Sequence, residues 1–152
     1  MNTLQWLIDR SWYKSIIKPK NSLIPIYESI VSQVNMPMEL VIAHAHYESV
    51  GQNILAVGQA GEYGLWQFLP STWQAIMGSA DWRNVDNQAI AYVRHTQNII
   101  NRYGLNLHDP AHVEVYLWIW NAGGGAYDKG FMPASTREYI RVIKSYQAQV
   151  ET

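Results

Sequence analysis

The chain has 152 residues, 48% hydrophobic and 15% charged, which suits one domain with a sizeable core and excludes a disordered chain. Eleven Lys and Arg against twelve Asp and Glu give a net charge of -1, and only Lys14, Lys18 and Lys20 cluster, so no basic stripe points to nucleic acid. There is no cysteine, which excludes a disulfide framework and a thiolate metal site, and no apolar run is long enough to span a membrane.

Between Met1 and Ile17, Asp9, Arg10 and Lys14 interrupt an apolar set of Trp6, Leu7, Ile8, Trp12, Ile16 and Ile17. Those charges and the lack of a small-residue cleavage site argue against a secretory signal. Residues 1–20 are expected to form an accessory helix or extension, and 21–152 one mainly α domain. Ser22 is expected to cap the first helix of that domain, with Pro25 in its opening turn and Ile26, Ile30, Val31 and Val34 as its apolar stripe. Pro37 should open a second helix that runs to Glu48-Ser49 and stops at Val50-Gly51. Gly51 to Phe68 carries four glycines and reads as a loop or small β-hairpin beside that helix.

Pro70 opens a short helix with Trp73, Ala75, Ile76 and Met77, stopped by Gly78. Asn87 to Tyr103 repeats apolar residues at helical spacing, with Gly104 as its stop. Asp109-Pro110 reads as a cap and first residue of a helix reaching Trp120. Ala122 to Pro133 carries four more glycines and reads as loop. Ser135-x-x-Glu138 has the pattern of a capping box for a last helix bearing Tyr139, Val142, Ile143 and Tyr146.

Glu48 is the candidate for chemistry. Helical spacing places Val41, His44 and Ala45 on its face, and its place at a helix C-terminus faces the negative end of the dipole. Both raise a carboxyl pKa, as a general acid near neutral pH requires, although a structural glutamate in an ion pair is an alternative. His44 lies on the same face and His46 on another, with no His-Glu-x-x-His pattern, so packed or hydrogen-bonded histidines are expected and no metal or cofactor is implied. Seven Trp and ten Tyr against two Phe supply flat faces with polar edges. Such rings suit an amphipathic ligand such as a sugar, and more often serve as core.

Four blocks follow one another: Glu48-Ser49, Gly64-Leu65-Trp66-Gln67 with Pro70, Trp120-Asn121-Ala122-Gly123, and Thr136-Arg137-Glu138-Tyr139. Their order and spacing resemble the transglycosylase SLT family, the lytic transglycosylases of the lysozyme-like superfamily, from about Ser22 to Tyr146. The resemblance implies an α+β lysozyme-like fold and cleavage of the β-1,4 bond between N-acetylmuramic acid and N-acetylglucosamine, with a 1,6-anhydro product. Under it Glu48 is the catalytic acid. Gln67 contacts sugar or acetamido groups, with a loop-fixing amide as the alternative. Asn121 shapes the groove, Tyr139 lies near the acid or in the core, and Gly64 and Gly123 meet backbone needs. Trp66 and Trp120 stand where the family has Met and Tyr, as enlarged stacking faces for substrate. Ser135 replaces the glutamate of the last block, and Gly58 falls where many members carry serine.

Glu62, in the loop, is the one further carboxylate in view: either a solvated loop residue or the base for water in a lysozyme-type hydrolysis. A wall-binding or particle-assembly module is the non-enzymatic alternative. The implied partner is the peptidoglycan glycan strand, with no stable membrane insertion. The bare domain, with no signal peptide recognised, looks like a bacteriophage lysin made in the cytoplasm. It would reach wall peptidoglycan either as an endolysin released by a holin or on the virion, and a secretion-system effector is a further architecture of this kind.

Overall fold

The computed structural model describes residues 16–151 and is mainly helical, with seven α-helices among those residues. After a 3-10 turn at Asn21–Leu23 come α1 (Ile24–Gln33), α2 (Met38–Glu48), α3 (Pro70–Met77), α4 (Val85–Tyr103), α5 (Pro110–Ala122), α6 (Gly124–Asp128) and α7 (Ala134–Gln149). The expectations for Met1 to Ser15 lie outside the described residues. Ile17 pairs in parallel with Val150 and is buried in the core.

Helix α2 is the axis of the fold. Leu40 to Ala45 are all buried, so the helix is enclosed on every side. It packs against α1 and α7, while α7 also packs on α5, and α4 bridges α1, α3 and α5. The chain leaves α2 through a Schellman turn, with the Gly51 N–H reaching the His46 carbonyl at 2.9 Å. The left-handed position in that turn is held by Val50 at φ 51°, one residue before the glycine. Ser49 fastens the exit: its hydroxyl donates to the Ala45 carbonyl (2.6 Å) and accepts from the Asn53 N–H (2.8 Å).

Two helix starts differ from expectation. Leu23, not Ser22, occupies the N-cap of α1, because Ser22 is already inside the 3-10 turn. Ser135 and Glu138 make no capping box: α7 begins at Ala134 with Pro133 as its cap, which puts Ser135 within the first turn. Glu138 instead pairs with Arg141. The Asp109 cap is present, its side chain accepting from Ala111 N–H at 2.9 Å, and Gly104 ends α4 in the left-handed conformation.

The two glycine-rich segments also depart from the pattern. The second is not all loop, since Gly124–Asp128 forms the short helix α6. In the first, the expected hairpin is reduced to isolated bridges, Val57 with Tyr63 and Tyr63 with Phe68. Between Tyr63 and Phe68 the chain makes a tight turn that plunges Leu65 and Trp66 into the core. Gly64 is required there twice over. Its φ is 73°, and the Gln88 amide occupies the space that a Cβ would need.

Candidate active site

Glu48 is the last residue of α2, and its side chain keeps 16% of its surface exposed. Burial pushes its carboxyl up to about 8, and the nearby Glu62 charge adds to the rise. The Trp120 indole N–H and the Tyr139 hydroxyl nearby favour the charged form and act in the opposite direction. Desolvation wins, so the group is largely protonated at neutral pH. The carboxyl borders a depression of about 540 Å³ lined by His46, Tyr47, Val50, Gly51 and Tyr146. Trp120 borders a second, of about 520 Å³, which runs past Thr72, His95, Arg102 and Asn121. The Trp120–Glu48 contact therefore lies between two open depressions.

Behind Glu48 lies a buried polar chain that the sequence reading did not find. His44 is wholly enclosed, its Nε2 4.0 Å from the Glu48 carboxyl. It contacts the Tyr139 hydroxyl at 2.8 Å through Nε2 and the Tyr92 hydroxyl at 3.0 Å through Nδ1. Tyr116 donates to the Tyr92 hydroxyl (3.0 Å) and meets Thr96 at 2.8 Å. The rings of Tyr92, Tyr116, Trp120 and Tyr139 all stand edge-on to the His44 imidazole. Burial, reinforced by His95, lowers the His44 pKa to about 3, so this imidazole is neutral. The signal was present as spacing. Gln88, Tyr92 and Thr96 form a polar stripe at i, i+4, i+8 on the buried face of α4, and Tyr116 and Trp120 repeat the spacing on α5.

The loop wall is built from amides. The buried Gln88 side chain accepts from the Leu65 N–H (2.9 Å) and donates to the Ile54 and Trp82 carbonyls (both 2.8 Å). Gln52 accepts from the Lys20 N–H (3.0 Å) and the Tyr27 hydroxyl (2.8 Å) and donates to the Lys18 carbonyl (2.8 Å). Gln67 donates to the carbonyls of Gly64 (2.9 Å) and Ala56 (3.2 Å). The Gln67 amide nitrogen is thus spent on the loop, as the loop-fixing alternative requires. A Cβ at Gly58 would come within 2.5 Å of the Gln67 Oε1 and 2.8 Å of the Glu62 carboxyl, so a serine there would displace both.

The structure brings Glu48, Trp120 and Tyr139 together, with Glu62 near enough to act on Glu48 by charge. Glu62 is also tied to its own loop, its carboxylate accepting from the Ala60 N–H at 2.6 Å. Trp66 is a correction. It has no exposed surface, packs at 4.3 Å against Tyr92, and donates to the Val41 carbonyl, so it offers no face to a ligand. Asn121 lies at the second depression and accepts from Thr136 at 2.7 Å, which ties α5 to α7.

No protein-family model, curated protein or solved structure matches the chain. The functional reading therefore rests on the site's own chemistry. The Tyr103 hydroxyl, beside Gly124 at the second depression, is buried without a hydrogen-bond partner among the described residues.

Proposed function

We propose that the chain is a peptidoglycan lytic transglycosylase with a lysozyme-like α+β catalytic domain, working through Glu48. The observation that carries this reading is a carboxyl held protonated to about pH 8 at the end of a core helix, open to one depression, with its neighbour Trp120 at the edge of a second. The protonated Glu48 gives its proton to the oxygen linking N-acetylmuramic acid to N-acetylglucosamine, and the C1–O bond breaks. Its carboxylate then takes the proton of the muramic acid 6-hydroxyl, whose oxygen bonds to C1 and closes the 1,6-anhydro ring. The substrate's acetamido group serves the oxocarbenium-like centre in place of a second carboxylate. The Trp120 indole and Tyr139 hydroxyl support the carboxylate formed between the steps.

Among the described residues no helix is long and apolar enough to cross a membrane. The setting proposed is wall peptidoglycan, reached by a phage endolysin or a virion-borne lysin. A second reading, hydrolysis, is favoured by one observation: Glu62 lies near enough for its charge to act on Glu48, which makes it a candidate base for water.

Digestion of purified peptidoglycan by wild type and Glu48→Gln, followed by mass spectrometry of the muropeptides, separates these readings. Anhydro ends from wild type, with a loss of about a hundredfold or more in the variant, are expected. Reducing ends would establish hydrolysis and promote Glu62. No product from either protein would leave wall binding or particle assembly as the role.

A further inference from the structure

The depression beyond Trp120 holds a single charge, set well along it. His95, Asn98 and Arg102 stand at i, i+3 and i+7 on α4, so one face of that helix lines the depression. His95 is at the Trp120 end, its ring centroid 4.8 Å from the indole, and burial lowers its pKa, which keeps it neutral at pH 7. Seven residues at about 1.5 Å each place Arg102 about 10 Å from His95 along the helix. Arg102 is the one charged side chain among the described residues that line this depression. A ligand group met there is a substituent, not the ring at the reacting bond.

Arg102 is pre-oriented and only loosely paired. Its guanidinium lies over the Tyr103 ring, 5.4 Å from the centroid, and its ion pair with Asp128 is long at 3.9 Å, with both side chains half exposed or more. By contrast, Arg141 donates to Glu138 through Nε at 3.0 Å, and Lys144 donates to Glu114 at 2.8 Å. Among the described residues Arg102 has no such hydrogen bond, so its planar fork is left for a carboxylate. Asp128 ends α6, a helix with no buried residue, and its carboxylate can give way to another.

We propose that Arg102 is a specificity-determining residue that takes a carboxylate of the stem peptide borne on N-acetylmuramic acid, in exchange for Asp128. The assignment deepens the transglycosylase reading and rests on it for the identity of the ligand. It makes glycan that still bears its peptides the preferred substrate. The lactyl carboxylate of a peptide-free muramic acid has the same chemistry, but it sits on the sugar itself, short of Arg102 when that sugar lies at Trp120.

The test is 15N NMR on the full chain, following the backbone signals and the Arg102 Nε–H through titrations with three probes. They are the disaccharide-tetrapeptide from peptidoglycan, the same compound with its stem carboxyls amidated, and the disaccharide without peptide, whose lactyl carboxylate is free. Wild type is expected to bind the first about tenfold tighter than the second, with the Arg102 Nε–H signal moving for the first alone. Arg102→Gln should bring that ratio to about one, and Asp128→Asn should raise it several-fold by removing the competing carboxylate. Both side chains are exposed, so both variants should fold. A wild-type ratio of one, no binding of any probe, or a ratio retained in Arg102→Gln overturns the proposal. Peptide-free disaccharide bound more tightly than the peptide-bearing one, and through Arg102, would assign the residue to the lactyl carboxylate and overturns it too. Digestion of peptidoglycan by wild type keeps the two readings apart. Anhydro ends without the ratio leave the transglycosylase and remove the role of Arg102. An Arg102-dependent ratio without cleavage leaves a carboxylate-reading wall-binding site, and the transglycosylase reading fails.

Discussion

On its helical side Glu48 meets His44, Trp120 and Tyr139, an imidazole, an indole and a phenol backed by two more tyrosines and a threonine. On its loop side the segment from Gly51 to Phe68 is held by the amides of Gln52, Gln67 and Gln88. The two walls use buried polar groups for opposite ends. Hydroxyls and imidazoles can turn a proton either way, so their arrangement bears on the charge state of the carboxyl they face. Amides do not titrate and have fixed donor and acceptor ends, so they fix shape at any pH. Acid strength is therefore written into the core side, and groove shape into the loop side.

The largest expected effect comes from breaking the loop wall. Gln88→Leu keeps volume but strands the Leu65 N–H and the Ile54 and Trp82 carbonyls. At about 1–3 kcal/mol for each buried group left unpaired, discounted where water enters, a loss of roughly 4 kcal/mol is expected. Chemical denaturation at pH 5 and pH 8 should give the same loss, because no proton is involved. A loss that changed markedly with pH would show that the amides also act on Glu48 and would break the comparison.

Glu48→Gln tests the helical wall. The folded carboxyl titrates near 8, against an ordinary 4.5, so the native state holds a proton that the unfolded chain has released. Between those two values wild-type stability falls as pH rises, and above about 8 it levels off. Glutamine has no proton to lose. The variant should match wild type near pH 4 and exceed it above pH 8, by at most about 5 kcal/mol from the full shift and on the order of 3 kcal/mol once solvent screening of the part-exposed carboxyl is discounted. Paired denaturation curves across that range check it, and a constant difference at every pH would place the Glu48 carboxyl in an ordinary environment.

This division also governs what could be read from the sequence. The α2 run, the Asp109 cap, the Gly104 stop and the position of Glu48 were legible because each depends on neighbours within a turn or two. The Ser22 and Ser135 caps were misplaced because neighbouring prolines and turns moved the helix starts, a shift of one or two residues that local pattern does not resolve. Trp66 was misjudged for a different reason. A four-residue turn with left-handed residues at both ends, Gly64 and Gln67, decides which side chains go inward, and spacing carries no such information. The polar chain behind Glu48 draws on α2, α4, α5 and α7, so only the fold assembles it, although its stripe on α4 was visible as three polar groups on one face.

The smallest effect sharpens the place where the two walls join. Val50 sits at the left-handed position of the turn leaving α2, where a β-branched side chain is strained and glycine or asparagine is usual. It is 89% exposed, so it gains no burial in return, and it lines the depression beside Glu48. Val50→Asn should raise stability by about 1 kcal/mol, read as an upward shift of the denaturation midpoint. A strained, exposed apolar residue at the rim of a groove is explained if its methyls meet the ligand. The same variant should then lose several-fold in peptidoglycan binding or turnover while the Glu48 titration midpoint stays where it is. Greater stability with undiminished action on peptidoglycan would remove Val50 from the groove's contacts. A fall in stability would mean that its methyls hold the turn against Tyr47 or Tyr146, and that the junction belongs to the helical wall.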